Sequence, residues 1–406
     1  MFLLSRAKKL LKRYRPFRLA SDVHNCLINS WRRHYKPDQD CFTLIPKGTS
    51  KGNVLLSYMT EGCRLKPGEP IPITHNRIWE SFQMAKTFVD FGYTVDVYSY
   101  LKKSFTVTKK YVVFIDVEDN MARLAPVLGK DCIKIFLITT AHPLFHNAAE
   151  TNRLLALQRR RGVTLPGRRF FLKPHLGIDF ADYALIKGND FTSSTYQYAK
   201  KPIHRIPVAS QTWCTWPVEE DVEQRRTRFV WFGSTGMVHK GLDLVLEAFA
   251  EMPEVHLTVC GPIDREPDFL EAYRKELYHT SNIEVVGWLD LNSHKFNEVM
   301  RSCIGTVFCS CSEGGASTVI DIMHAGLIPI VNYESSVDVD GCGVLLKQST
   351  VEEIKEAVRT VSGMPAVELV RRMQQARAYA QANHTMERFL EVYRETMQTI
   401  LATHGC

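Results

Sequence analysis

Lys240, Glu313 and Asp321 are the side chains best placed for chemistry on a charged, hydroxylated ligand. Lys240 precedes Gly241 in a loop segment, Glu313 opens the run Glu313-Gly314-Gly315-Ala316-Ser317-Thr318, and Asp321 follows Glu313 after seven intervening residues. A lysine neutralises an anion. The two glycines let backbone approach a ligand closely, and the helix start that follows offers unpaired amides and the positive end of a dipole. Asp321 falls about two turns into that helix, so one acid reaches one end of a ligand and the second acid the other. Ser234 and Thr235, just after Gly233, add hydroxyl and backbone donors. A diphosphate carrying further hydroxyls suits this set.

Strand ends must hold such residues together. Residues 228 to 232 form an apolar run that stops at Gly233, and 255 to 260 do the same before Gly261-Pro262. Both predict buried strands. Leu242, Val245, Leu246 and Phe249 recur at helical spacing and predict a helix from Gly241 to Met252. A helix from Phe269 to Tyr278, a strand from Ile283 to Val286, a helix from Lys295 to Arg301 and a strand from Ile304 to Phe308 follow. A helix carrying Val319, Ile320, Ile322 and Met323 then ends at Gly326, before the strand Ile328 to Val331. Strands alternating with helices give an α/β fold with a doubly wound parallel sheet, which binds ligands at the carboxyl ends of its strands.

The first half repeats this architecture. Strands are expected at Val54 to Tyr58, Val95 to Tyr98, Tyr111 to Ile115, Ile133 to Thr139, Tyr183 to Ile186 and Ile206 to Val208, with a helix from about Asn76 to Phe91. Loops after these strands bring His75, Asn76, Glu80, His142 and Asn189 toward the cleft. On the residues alone, His142 is either a site residue or a structural histidine, and Asn76 is either a site residue or a helix cap. Arg153, Arg159, Arg160 and Arg161 are read as a solvated helix face, the alternative being a contact for an anionic acceptor. The segment from Trp213 to Arg226 is the expected linker between halves, and Met386 to Leu401 is an expected amphipathic helix.

With 406 residues, 45% of them hydrophobic, the chain has enough for two to three domains. Residues 1 to 36 hold ten lysines and arginines against Asp22, a charge of +9 in a chain of net +7, which leaves −2 for the rest. Leu3, Leu4, Ala7, Leu10, Leu11 and Tyr14 fall at helical spacing among these bases. Two readings stand: a helix lying on an anionic membrane surface, and a solvated basic arm. The near-neutral remainder excludes an extended nucleic-acid face. Eleven cysteines without zinc-type pairing are expected as reduced thiols in a cytoplasmic setting. No run of 18 apolar residues is present, and the start Phe2-Leu3-Leu4 is broken by Arg6, Lys8 and Lys9, so neither a span nor a cleavable signal is expected. Asp338-Val339-Asp340 is expected as a turn and not a metal pair, and no metal or other cofactor is expected.

From Phe229 to Val331, and more loosely from about Val54 onward, the chain resembles the retaining nucleotide-sugar glycosyltransferases of glycosyltransferase family 4, group 1. The likeness lies in Gly233 through His239-Lys240-Gly241-Leu242-Asp243, the Cys260-Gly261-Pro262 turn, and Glu313-x7-Asp321 followed by His324-Ala325-Gly326-Leu327-Ile328-Pro329. It implies a GT-B fold, two Rossmann-like domains facing a cleft. Residues 51–215 would be the acceptor side and 216–385 the nucleotide-sugar side, after a basic extension at 1–50, with helix 386–401 packing back on the first domain. It also implies that Lys240 neutralises the donor diphosphate, Glu313 meets the sugar hydroxyls, Asp321 holds the ribose, the Gly314 to Ser317 amides cradle phosphate, and His142 lies near the transferred sugar. Asp321 stands where the family carries glutamate, and Ser234 is nearest the place of a family arginine. The implied partners are a nucleoside diphosphate sugar and a glycan or lipid-linked acceptor.

Two rival classes have their own signatures. A nicotinamide-dependent oxidoreductase also has two such halves, but Gly233-x-x-Gly236 lacks the G-x-G-x-x-G spacing. The other rival is a non-catalytic scaffold that keeps the fold at a membrane surface.

Overall fold

The computed structural model describes residues 41–65, 69, 76–173, 176–211, 219, 221–339 and 341–405. The basic arm 1–36, His75, the linker stretch 212–218 and Asp340 lie outside the described residues.

Thirteen described strands form two sheets. The first sheet holds β1 (Cys41–Leu44), β2 (Asn53–Tyr58), β3 (Thr94–Ser99), β4 (Val113–Asp116), β5 (Ile133–Ile138), β6 (Tyr183–Ile186) and β7 (Ile203–Arg205), in the order β1-β3-β2-β4-β5-β6-β7. All its neighbours are parallel except β1, which runs antiparallel to β3 at the edge with Cys41 opposite Tyr98. The second holds β8 (Arg228–Phe232), β9 (His256–Cys260), β10 (Ile283–Val285), β11 (Gly305–Phe308), β12 (Ile328–Asn332) and β13 (Val344–Leu346), all parallel, in the order β10-β9-β8-β11-β12-β13. That order reverses between β8 and β11, so the loops after these two strands flank the crevice where doubly wound sheets bind ligands.

The longer helices are α1 (Asn76–Asp90), α2 (Asn120–Leu128), α3 (Pro143–Arg161), α4 (Leu242–Ala250), α5 (His294–Ser302), α6 (Ser317–His324), α7 (Val351–Ser362), α8 (Ala366–Asn383) and α9 (Met386–Thr403). Among the described residues no helix is long and apolar enough to cross a membrane. Helix α9 seats Phe389, Tyr393, Met397 and Ile400 in the core of the first sheet, beside Val54, Leu56 and Phe88. Helix α3 does the reverse. It follows β5 of the first sheet, yet Leu157 is fully buried among Leu242, Phe249 and Phe269 of the second half.

Two sequence expectations need correction. The strand foreseen at Ile206 to Val208 lies instead at β7, because the ladder ends when the Ile206 amide donates to the Ile186 carbonyl (2.8 Å). Val208 has already left to pack with Phe308 and Val319. The single helix foreseen from Phe269 to Tyr278 breaks at Tyr273 into Pro267–Ala272 and Arg274–His279. Tertiary contacts override the local periodicity there: the Tyr273 ring stacks on Phe269 with centroids 4.7 Å apart, takes the Arg161 guanidinium on its face at 4.5 Å, and donates its hydroxyl to Glu247 at 2.6 Å.

Candidate active site

Lys240 and Glu313 meet where the two switch-point loops are pressed together. Gly241 carries a φ of +76°, and a Cβ there would come within 2.5 Å of the Cys309 carbonyl oxygen, so only glycine allows this approach. Lys240 Nζ donates to Glu313 Oε1 at 2.7 Å, and Ser310 Oγ donates to the same oxygen at 3.0 Å. The Lys240 side chain is 7% exposed and that of Glu313 16%. Burial opposes ionisation of Glu313 most strongly, but the charges of Lys240, His239 and Arg169 outweigh it and hold the carboxyl at about 2. The two residues therefore form a charged pair at neutral pH.

The glycine run lies directly on the first half of the molecule. A Cβ on Gly314 would come within 2.5 Å of backbone atoms of Thr139 and Thr140, just past β5. Helix α6 then starts at Ser317 with no side-chain cap. The Ala316 amide donates to the Ser335 carbonyl at 3.2 Å and that of Glu313 to Glu334 at 2.9 Å. Among the described residues the amides of Gly314, Gly315 and Ser317 make no backbone hydrogen bond. Asp321, on the second turn of α6, is buried and accepts a hydrogen bond from Ser210 Oγ.

Behind the pair lies a buried hub that local sequence did not reveal. His146 and Glu150, four residues apart on α3, meet His239, with ligand-type atoms of all three within 4.8 Å of one another. Their polar atoms are committed to protein partners. His146 Nε2 donates to the Arg169 carbonyl (2.9 Å), which leaves Nδ1 to accept from Ser312 Oγ (3.0 Å). His239 Nε2 donates to the Ser312 carbonyl (2.8 Å), and Glu150 accepts the amides of Arg168 and Arg169. This is a hydrogen-bond brace, one residue from Lys240 on one loop and one from Glu313 on the other. Burial, with the nearby charges of His239 and Arg169, lowers His146 to about 4 against an opposing pull from Glu313, so the ring is neutral at working pH.

A cleft cavity of about 450 Å³ gathers Ser234, Lys240, Glu313 to Thr318 and Asp321 from the second half with Asn76, Arg77, Glu80, Thr139, Arg169 and Lys187 from the first. The loop Trp288 to Asn292 forms another wall, with Trp288 60% exposed. Gly233 and Thr235 do not line this cavity, and Gly233 instead donates its amide to the Cys260 carbonyl at 3.0 Å. Neither does His142. It caps α3, taking the Leu144 amide on Nδ1 at 3.3 Å, while Nε2 meets the Tyr198 hydroxyl at 3.3 Å and both Tyr196 and Tyr198 stand edge-on to its ring. Asn189 caps Asp190–Ser194 and bonds Asp338, away from the cleft. Glu80 and Lys187 form a buried ion pair on the first-sheet side, with Lys187 lowered by burial against the pull of Glu80.

Of the arginines of α3, Arg159 is exposed as a solvated face would have it, whereas the other three are engaged by the second half, and none lines the cleft. Arg160 pairs with the fully buried Asp243 (2.7 Å) and with Glu247 (2.9 Å), Arg161 pairs with Glu276 (2.7 Å), and Arg153 donates to the Cys309 carbonyl (3.1 Å). Asp338 of the foreseen turn pairs with Arg205 of the first sheet at 2.5 Å.

Residues 223–381 match the family model of glycosyl transferases group 1. The curated proteins contain no match to the chain. Among solved structures, the sucrose-phosphate synthase of Thermosynechococcus elongatus aligns with a TM-score of 0.60 at 11% identity, over 87% of this chain and 100% of that one. Anabaena HepE in complex with UDP and glucose aligns at 0.54 and 12% identity, over 87% and 100%. A glycosyltransferase from Rickettsia africae aligns at 0.54 and 11% identity, over 86% and 99%. Residues 223–381 thus match a group 1 glycosyl transferase domain, and the chain as a whole shares the GT-B fold of these structures.

Proposed function

We propose that the chain moves a sugar from a nucleoside diphosphate to an acceptor hydroxyl with retention of anomeric configuration, in the synthesis of a glycan, polysaccharide or glycolipid. The observation that carries this reading is the Lys240–Glu313 pair set beside the uncapped start of α6. The diphosphate would lie against the Gly314, Gly315 and Ser317 amides and Lys240, so that protein cations and dipoles, without a metal ion, stabilise the charge that develops on departure. Glu313 would accept sugar hydroxyls, Asp321 the ribose, and the exposed face of Trp288 offers a platform for the base.

Retention is supported by the weak basicity of Glu313. A carboxyl held at about 2 is a poor general base at neutral pH. The bond between the anomeric carbon and the diphosphate oxygen breaks with its electron pair going to the diphosphate. The acceptor oxygen then bonds from the same face, and its proton passes to the departing diphosphate oxygen. HepE, captured with UDP and with UDP-glucose, offers a precedent in the same fold. The basic arm 1–36 adds to the proposal a peripheral contact with the cytoplasmic face of a membrane, where a lipid-linked acceptor would reside.

Thermal unfolding of the purified chain with UDP, GDP, ADP, TDP or CMP tests the reading. A nucleotide at about a hundred times its dissociation constant adds about 2.7 kcal/mol. One diphosphate should stabilise the wild type and not Lys240→Ala, and Glu313→Ala should lower transfer about 10²- to 10³-fold. Absence of any shift with all five nucleotides would overturn it.

A further inference from the structure

We propose that Arg169, on the loop after α3, is a second cation of the donor-phosphate site and binds the diphosphate together with Lys240. This rests on the nucleotide-sugar reading above.

The cleft is short of free positive charge where the diphosphate would lie. Its cations are Arg77, Arg169, Lys187 and Lys240. Lys187 is bound to Glu80, and Lys240 is bound to Glu313 at 2.7 Å. Both are therefore neutralised by their partners, and Ser234 brings no charge. A helix N-terminus supplies only about half an elementary charge against a diphosphate. Arg77, at the start of α1, acts on Tyr58 and Glu118 of the first half.

Arg77, like Arg169, has no ion pair or hydrogen bond among the described residues, but Arg169 lies against the loop that leads to Lys240 and its charge reaches Glu313. Its stem crosses the loop that leads to Lys240, so that a Cβ on Gly236 would come within 2.9 Å of its Cγ and 3.1 Å of its Cδ. The backbone of Arg169 is fixed by the hub, its amide to Glu150 (3.0 and 3.1 Å) and its carbonyl to His146 (2.9 Å). Its guanidinium has no ion pair or hydrogen bond to the described residues, although its charge is felt at Glu313. A clamped backbone bearing an uncommitted planar fork is already arranged to take two phosphate oxygens, with little order left to impose on binding. Because α3 and this loop follow a strand of the first sheet, such an arginine would also let the diphosphate hold the two halves together.

The test is calorimetric titration of the full chain with UDP, GDP, ADP and TDP and with the four matching nucleosides, for wild type, Arg169→Ala and Arg169→Lys. The diphosphate that binds the wild type should bind Arg169→Ala at least about tenfold more weakly, with Arg169→Lys between them. The matching nucleoside should bind all three proteins alike, and their unfolding temperatures without ligand should agree, which a purely structural role would not give. Equal diphosphate affinity in wild type and Arg169→Ala overturns the role of Arg169 and leaves the nucleotide-sugar reading standing. Failure of the wild type to bind any diphosphate overturns both.

Discussion

The two sheets reach the cleft by different means. At the second, the ends of β8 and β11 carry the chemistry directly, and Lys240 and Glu313 sit a few residues past the strands that place them. At the first, His146, Glu150 and Arg169 come from a helix that leaves its own sheet and sinks Leu157 into the core of the other half, and from the loop beyond it. Charge pairs follow the same division. The catalytic candidates pair within the second half, whereas Arg160–Asp243 and Arg161–Glu276 join the halves. A site assembled by strand ends is local in sequence. One completed by a crossing helix depends on the contact between halves staying closed.

That contrast predicts which changes cost most. Arg160→Ala takes from the fully buried Asp243 its hydrogen-bonded cation and leaves it only the nearby charge of Arg153, and removal of one member of a buried pair should lower stability by about 3 kcal/mol in urea unfolding. A loss below about 1 kcal/mol would mean that α3 only rests on the second half. His146 comes next. Its folded pKa, about 4, lies below the ordinary histidine value, so between about pH 6.5 and 4 the unfolded chain takes up a proton that the folded one refuses. Stability should therefore fall by about 2 kcal/mol on going from pH 7 to pH 5 from this residue alone, and unfolding curves of His146→Gln should show a fall smaller by that amount. An unchanged slope would remove the hub from the account. The smallest effect is expected for Arg205→Ala. The pair it breaks has side chains 44% and 31% exposed, so the cost should stay under about 1 kcal/mol and shrink further at high salt.

The same contrast explains what could be read from the chain. Phe229 to Val331 was legible because apolar runs end at glycines and each charged residue lies within one loop of its strand. The glycine run announced a close approach, and Gly314 does abut Thr139 and Thr140, though no local pattern names that partner. The partners of Arg153, Arg160 and Arg161 on α3 were hidden for the same reason. Helical spacing shows which face the arginines share and not what stands opposite, and here Asp243, Glu247 and Glu276 do. His146 and Glu150 left a faint trace as an i, i+4 pair on a helix with proline at its first position. Arg169 left none, since its place depends on where the whole of α3 is docked.

Helix α9 has a consequence for how the protein is made. It follows the second half in the chain but supplies Phe389, Tyr393, Met397 and Ile400 to the core of the first. During synthesis Val54, Leu56 and Phe88 emerge early and wait, incompletely covered, until residues 386–400 have left the ribosome, after the entire second half has been translated. Completion of the half that is made first is thereby tied to completion of the half that is made second.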